Sequence, residues 1–96
     1  MEVLAFEWDD AKSEKNKLDR GRGRGFDEAL QLWTADGPDA ALNINSGEQV
    51  YLRVGFIAGK VWGAMYVIRE AVTVSKVIRI VSFRRLNDRE RKKYAL

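Results

Sequence analysis

Arginine recurs near the end of this chain, in a stretch where charged and apolar residues alternate. An extended strand sends successive side chains to opposite faces. Regular alternation puts Ile78, Ile80, Ser82 and Arg84 on one face and Val77, Arg79, Val81, Phe83 and Arg85 on the other. Arg79 then stands among apolar side chains, where an unpaired charge is costly. It needs an anionic partner, either an internal carboxylate such as that of Glu48 or Glu70, or a phosphate.

Arg69 ends the preceding apolar stretch, and it approaches Arg79 if the two strands pair in register. A guanidinium presents a fork of N–H donors that matches a phosphate. One reaction suits such a pair: cleavage of RNA by attack of its own 2′-hydroxyl on the adjacent phosphate. Because the substrate supplies the nucleophile, the protein has only to hold the phosphate and stabilise its developing charge. The alternative for Arg69 is an exposed charge at a strand end.

Proton transfer in that reaction requires a further group. The chain has neither cysteine nor histidine, which excludes thiolate nucleophiles, zinc fingers and imidazole bases and predicts no transition-metal site. A carboxylate or a tyrosine has to move the protons, and the sequence singles out no particular one.

Positive charge is also concentrated in two segments outside the strands. Residues 12–24 and residues 84–93 each hold six basic and two acidic residues, whereas residues 26–50 hold five acidic residues and no basic one. Alternate glycines keep the Arg-Gly loop at 20–25 flexible, as in loops that contact nucleic acid. The basic residues of the last segment have a second explanation, because cations stabilise the C-terminal end of a helix. The predicted RNA-binding residues are Lys12, Arg22, Arg24, Ser82, Arg85 and Lys92.

The elements that position these residues begin with a short strand at 3–8. Asp9 then offers an N-cap oxygen to a lysine-rich helix that ends near residue 18. Phe26, Leu30 and Trp33 follow at helical spacing and predict a second helix.

From residue 49 onward the pattern is that of strands. Alternation over 50–57, a tight turn at Gly59 and two further stretches at 60–68 and 74–85 predict an antiparallel meander. Asn87 then caps a final helix, with Glu90 as the return arm of a capping box. The predicted order is strand, two helices, three strands, helix.

The composition is that of a folded chain. With 96 residues, 46% of them hydrophobic and ten of them aromatic, it can build one core and predicts one domain. The net charge of +3 is modest, but its uneven placement indicates a polyanionic partner. The N-terminus has no basic segment and the apolar runs are short, so neither a signal peptide nor a membrane span is predicted, and we expect a cytoplasmic protein.

Several of these motifs recur together in one known family. They are Phe6-Glu7-Trp8-Asp9, Asn16 in the lysine-bearing helix, Phe26-Asp27-Glu28-Ala29, the strand from Ile78 to Arg85, and Glu90-Arg91 with Tyr94. In this combination the sequence resembles the BrnT family of bacterial toxins over nearly its whole length. The most specific part is the run from Arg79 to Arg84 with the later Glu90, Arg91 and Tyr94.

The resemblance implies a single domain over residues 1–96 with an α+β, RelE-like fold: an antiparallel sheet of three to four strands, two N-terminal helices and one C-terminal helix. It implies the toxin of a type II toxin–antitoxin system, a metal-independent endoribonuclease without cofactor that cuts RNA and blocks translation. The implied partners are RNA and a BrnA-type DNA-binding antitoxin, which neutralises the toxin in a heteromeric complex that binds promoter DNA. The implied catalytic residues are Arg69 and Arg79, which hold the scissile phosphate, and Arg84 and Tyr94.

The Arg-Gly loop departs from the family pattern. The family has Lys-His-Gly-Val-Ser before the phenylalanine of the second helix, whereas this chain reads Gly21-Arg22-Gly23-Arg24-Gly25, with two extra residues after Asn16. Arg22 occupies the histidine position, so a proton transfer that depends on that histidine is slower, uses another group or is lost. If the histidine only contacts RNA or the antitoxin, arginine can substitute for it. Two alternatives follow: a nucleic-acid-binding module without catalysis, or a domain whose basic surface binds only an acidic partner such as the antitoxin.

Overall fold

The computed structural model describes residues 4–34, 39–42, 47–70 and 76–93. The helices are α1 (Asp10–Leu18), a 3₁₀-helix (Phe26–Trp33) and α2 (Asp88–Lys93), and the strands are β1 (Leu4–Trp8), β2 (Asp39–Ala41), β3 (Tyr51–Ile57), β4 (Lys60–Arg69) and β5 (Lys76–Arg85). The predicted α+β class is confirmed. No helix in the described part of the chain is long and apolar enough to cross a membrane.

The five strands form one mixed sheet in the order β1-β5-β4-β3-β2. Strand β1 runs parallel to β5, and the other neighbours are antiparallel. The prediction of an antiparallel sheet of three to four strands was therefore wrong, although the β3-β4-β5 meander is confirmed. The parallel pairing places Phe6 beside Ile78, a register between distant segments that local patterning does not encode. The additional strand, β2, has three residues, too few to show an alternating pattern.

Three local signals in the sequence are confirmed. Asp9 caps α1, because its carboxylate accepts a hydrogen bond of 3.1 Å from a backbone N–H three residues later. Asn87 and Glu90 form the reciprocal capping box of α2, with distances of 2.9 and 3.1 Å. Gly59 forms the β3–β4 turn together with Ala58, at φ of 78° and 51°, which is the backbone form that matches the twist of a two-residue hairpin.

The second helix is present, but its geometry differs from the prediction. It is a 3₁₀-helix whose buried residues are Phe26, Ala29 and Leu32, and not the stripe of Phe26, Leu30 and Trp33 expected from an α-helix. A 3₁₀-helix has three residues per turn, so side chains three apart share one face. Leu30 and Trp33 pack beside this face and are partly buried.

An irregularity at Val81 decides which side chains of β5 share a face. Met65 and Tyr66 are consecutive on β4, yet they pair with Ser82 and Ile80. Val81 is therefore the extra residue of a β-bulge, which shifts the alternation of side chains by one position.

The shift overturns the face assignment expected from regular alternation. Phe83 is buried in the same cluster as Ile78 and Ile80, whereas Ser82 and Arg84 lie on the other side of the sheet with Arg79. The prediction that Ser82 and Arg84 share a face with the isoleucines was wrong, because it assumed an uninterrupted strand. The bulge thus gathers the polar residues of β5 on one side.

The two sides of the sheet differ in character. The helix face is the side covered by the 3₁₀-helix, and its core cluster is Phe26, Ala29, Leu32, Ile57, Trp62, Ala64, Tyr66, Ile78, Ile80 and Phe83. The opposite side, here called the arginine face, carries Glu7, Arg69, Arg79, Ser82 and Arg84. A smaller apolar cluster of Leu52, Val54, Val61 and Leu86 lies beside them. The helix face therefore carries the larger apolar core, and the arginine face presents charged residues beside a smaller one.

Candidate functional site

The predicted approach of Arg69 to Arg79 is confirmed. Arg79 lies between Glu7 of β1 and Val67 of β4, and Arg69 is two residues beyond Val67 and therefore on the same face. Both guanidinium groups converge on Glu7, whose Oε1 is 3.5 Å from Arg79 Nη1 and 3.8 Å from Arg69 Nε. The side chains of Arg79 and Arg69 are 34% and 50% exposed, so an anion from solvent can reach both.

The carboxylates around this pair differ from the prediction. The expected partner of Arg79 was an internal carboxylate, with Glu48 and Glu70 as examples, or a phosphate. The carboxylate beside Arg79 is that of Glu7, while Glu48 pairs with Arg69 at 3.4 Å. Half-exposed ion pairs of this kind stabilise a fold by about 0–1 kcal/mol. A guanidinium also carries five N–H donors, more than these contacts use. The arginines can therefore bind a phosphate at little cost to the fold.

Ser82 and Arg84 lie farther along the arginine face. Ser82 and Arg84 line a cavity of about 90 Å³ together with Met65, Leu86 and Glu90. Arg84 donates two hydrogen bonds to Glu90, at 2.8 and 2.5 Å, and thereby ties β5 to α2. Arg84 and Arg79 pair with residues of β4 that are four positions apart. The two arginines are therefore separated by roughly 13 Å along the strand. Arg84 is thus placed to anchor α2.

The pairing of Arg84 with Glu90 makes stability depend on pH. The hydrogen bonds from Arg84, helped by the Asn87 backbone N–H, hold the pKa of Glu90 below its ordinary value of 4.5. A lowered folded-state pKa adds stability that is complete above the unfolded pKa and lost as the pH falls through the folded value. We expect acidification below 4.5 to cost on the order of 1 kcal/mol here, because water screens the partly exposed pair.

Urea unfolding at neutral and acidic pH measures this loss. Glu90→Gln should be less stable than the parent at neutral pH and should show a smaller decline in acid. The control is Glu14→Gln, which replaces an exposed acid of α1 and should leave the decline unchanged. An equal acid-dependent loss in the parent and in Glu90→Gln contradicts the assignment.

Lys12 and Arg22 meet in a groove at the free edge of β5. The groove has a volume of about 410 Å³, and its lining residues are Lys12, Lys15, Asn16, Asp19, Arg22, Phe26 and Val81. Strand β1 ends opposite Ile80, so α1 and the Arg-Gly loop, in place of a strand, flank the second half of β5. Three cations around one groove give a binding surface for a polyanion.

Asn16 holds this groove together. It is 4% exposed, and its Nδ2 donates to the backbone oxygens of Arg24 and Phe83 at 2.7 and 2.9 Å. Its Oδ1 accepts a hydrogen bond from Arg22 Nη1 at 2.9 Å. One amide therefore joins α1, the Arg-Gly loop and β5, and orients the Arg22 side chain.

The other predicted site residues lie elsewhere. Arg24 contacts Glu28 and stacks over Trp62, with 5.5 Å from its Cζ to the ring centroid. Arg85 is exposed and lies opposite Trp62, on the helix face, and Lys92 is exposed on α2. Tyr94 lies outside the described residues. The described structure thus brings Arg69 and Arg79 together on the arginine face, and Lys12 and Arg22 together at the groove. Ser82 and Arg84 line a separate cavity, and Arg24, Arg85 and Lys92 lie apart from all three places.

Tyr66 is unsuited to move protons beside Arg69 and Arg79. Burial, reinforced by a hydrogen bond with Asp39, raises the pKa of Tyr66 to about 12. Tyr66 lies in the core of the helix face, stacked on Tyr51 with 5.5 Å between ring centroids. It remains protonated at physiological pH and faces away from Arg69 and Arg79.

Glu7 and Asn16 are the residues whose part in the site was missed by our sequence reasoning. Both stand in the motifs that carried the family resemblance, but neither was given a role. Glu7 alternates with Phe6 and Trp8 in β1 and reads locally as the solvent side of an edge strand. Its meeting with Arg79 depends on the parallel pairing of β1 with β5, and no local signal reports that pairing.

A comparison of the sequence with known protein families gives a match that covers most of the chain. The sequence matches the family model described as ribonuclease toxin, BrnT, of type II toxin–antitoxin system, over residues 8–90. The comparison with curated proteins finds no match. Since the family match omits only the first seven and the last six residues, the chain belongs to the BrnT family of ribonuclease toxins of type II toxin–antitoxin systems.

Proposed function

We propose that this chain is a metal-independent endoribonuclease in which Arg69 and Arg79 hold the scissile phosphate of RNA. One observation carries the proposal: two accessible guanidinium groups from neighbouring strands meet at a single point on the arginine face. Each presents a planar fork of donors to a phosphate oxygen, and each strengthens its hold as negative charge develops in the transition state.

The reaction needs no nucleophile from the protein. The 2′-hydroxyl of RNA attacks the adjacent phosphorus in line with the departing 5′ oxygen, which yields a 2′,3′-cyclic phosphate and a 5′-hydroxyl. Fixing the phosphate in that geometry supplies much of the rate enhancement, because the attacking group is already part of the same molecule. A sheet positions Arg69 and Arg79 more rigidly than a loop does, which suits them to this task.

The groove at the edge of β5 supplies a path for the strand of RNA. Val81 lines the groove and is two residues from Arg79 on β5, so the groove and the arginine pair lie on neighbouring parts of one strand. In our proposal Lys12, Lys15 and Arg22 bind neighbouring phosphates and keep the scissile one at Arg69 and Arg79. Binding through several phosphates weakens steeply with salt.

Membership of the family implies a cognate antitoxin as well as an RNA substrate. We propose that the antitoxin is of the DNA-binding BrnA type and covers the arginine face, so that it excludes RNA. The positive charge of this face supports fast and specific association with a partner of opposite charge. The same complex binds promoter DNA through the antitoxin, and release of the toxin blocks translation.

Cleavage of a short RNA in the presence of EDTA tests the proposal. We expect the purified protein to release fragments that end in a 2′,3′-cyclic phosphate, and a matched substrate with a 2′-deoxyribose at the cleavage site to remain intact. Cleavage of the deoxy substrate, or dependence of cleavage on added metal, contradicts the mechanism. RNA that is bound but stays uncut contradicts the enzyme and favours the binding module built on the groove.

A further inference from the structure

Glu7 occupies the point at which the two arginines meet. Its carboxylate contacts both Arg69 and Arg79, at 3.8 and 3.5 Å, and its side chain is 43% exposed. The neighbouring acid, Glu48, contacts Arg69 and is 48% exposed. Of the described carboxylates, Glu7 is thus the one placed at both guanidinium groups.

A carboxylate at this position weakens phosphate binding, and its contribution to stability is too small to explain its presence. A half-exposed ion pair adds little stability, yet a negative charge between two phosphate-binding arginines competes with the phosphate and weakens its binding. A general base has to lie as close to the arginines as Glu7 does, because it must reach the 2′-hydroxyl next to the phosphorus that the arginines hold. The arginines also reduce the repulsion between the base and the phosphate.

Among the described residues, Glu90 and Tyr66 are occupied or face elsewhere. Glu90 accepts hydrogen bonds from Arg84 and from the Asn87 backbone at the far end of the arginine face. Tyr66 stays protonated, since its pKa is raised to about 12 by burial, and it points to the helix face. Arginine itself is protonated at any usable pH and cannot serve as the base.

Resting on the function proposed above, we infer that Glu7 is the general base of RNA cleavage. Its carboxylate takes the proton of the 2′-hydroxyl while the 2′ oxygen bonds to phosphorus and the bond from phosphorus to the 5′ oxygen breaks. The departing 5′ oxygen takes a proton from water, and the proton on Glu7 passes back to solvent. Charge and protons balance, and the products are the 2′,3′-cyclic phosphate and the 5′-hydroxyl.

The test compares single-turnover cleavage by the parent, Glu7→Gln and Glu48→Gln from acidic to alkaline pH. Loss of a general base slows a reaction by about 10²–10⁴-fold, so Glu7→Gln should lose activity to this extent and should also lose the acidic limb of the pH profile. RNA binding, measured separately, should be equal or tighter, because a competing charge is gone. Glu48→Gln removes an acid from the same cluster and should keep both the acidic limb and a rate within a few-fold of the parent.

Two further measurements distinguish a general base at Glu7 from a general acid, and a loss of catalysis from a loss of folding. A substrate whose leaving group is nitrophenolate needs no acid, so the deficit of Glu7→Gln should persist on it. Glu7→Asp keeps the carboxylate on a shorter side chain, and we expect an intermediate rate with the acidic limb retained. This variant tests the inference even if Glu7→Gln does not fold.

The outcomes are distinguishable. An acidic limb that persists in Glu7→Gln, a deficit that vanishes on the nitrophenolate substrate, or equal losses in Glu7→Gln and Glu48→Gln each overturn the role of Glu7 and leave the ribonuclease intact. Failure of the parent to cut RNA overturns the proposed function itself.

Discussion

Replacing Arg79 with alanine is expected to slow RNA cleavage by about two to three orders of magnitude, the usual effect of removing one donor aimed at developing charge. The expectation follows from its place between β1 and β4, where it is 34% exposed and touches Glu7. Single-turnover rates at saturating protein isolate the chemical step from binding. Arg79→Lys keeps the charge but loses the planar fork, and should recover only part of the rate.

Arg89→Ala is the matched control for Arg79→Ala. Arg89 is an exposed residue of α2, so its replacement removes the same charge from the chain without touching the arginine face. We expect a rate within about three-fold of the parent, since a distant surface charge acts only through the overall field. Equal losses from the two substitutions mean that net charge alone matters, and they refute the phosphate-binding role of Arg79.

Replacing Asn16 with leucine is expected to lower the free energy of unfolding by roughly 2–4 kcal/mol. Leucine is similar in size but cannot donate to the backbone oxygens of Arg24 and Phe83, and each buried polar group left unpaired costs about 1–3 kcal/mol. The melting temperature should fall by roughly 4–8 °C per kcal/mol for a domain of this size. Urea and thermal unfolding measure both quantities.

Lys15→Ala is the control for Asn16→Leu, because Lys15 lines the same groove but is exposed. It should change stability by less than about 0.5 kcal/mol, as surface substitutions usually do, while it weakens RNA binding at low salt. A stable Asn16→Leu protein with unchanged unfolding contradicts the hydrogen-bond network at the edge of β5.

The sequence was most informative where a structural signal is local. The caps at Asp9 and Asn87 and the turn at Gly59 were predicted because each depends on backbone groups within three residues. The β3-β4-β5 meander followed from the same local alternation. The approach of Arg69 to Arg79 followed in turn, because two adjacent strands bring those positions together whenever they pair in register.

The errors arose where geometry depends on distant packing. A stripe of apolar residues does not distinguish 3.6 from 3.0 residues per turn when the helix is short, so Leu32 was missed and Leu30 and Trp33 were overstated as core. Likewise, the bulge at Val81 is set by how β5 pairs with β4. Without it, regular alternation separates Ser82 and Arg84 from Arg79.

By itself, the sequence determined which chemical groups are available: arginines in a strand, no cysteine and no histidine, and basic residues concentrated at 12–24 and 84–93. Only the tertiary structure decided which carboxylate meets those arginines. Glu7 is 72 positions from Arg79, and the parallel pairing of β1 with β5 brings the two together. Such a contact is selected by the joint burial of both strands on the helix face, which is a property of the assembled core and not of either segment alone.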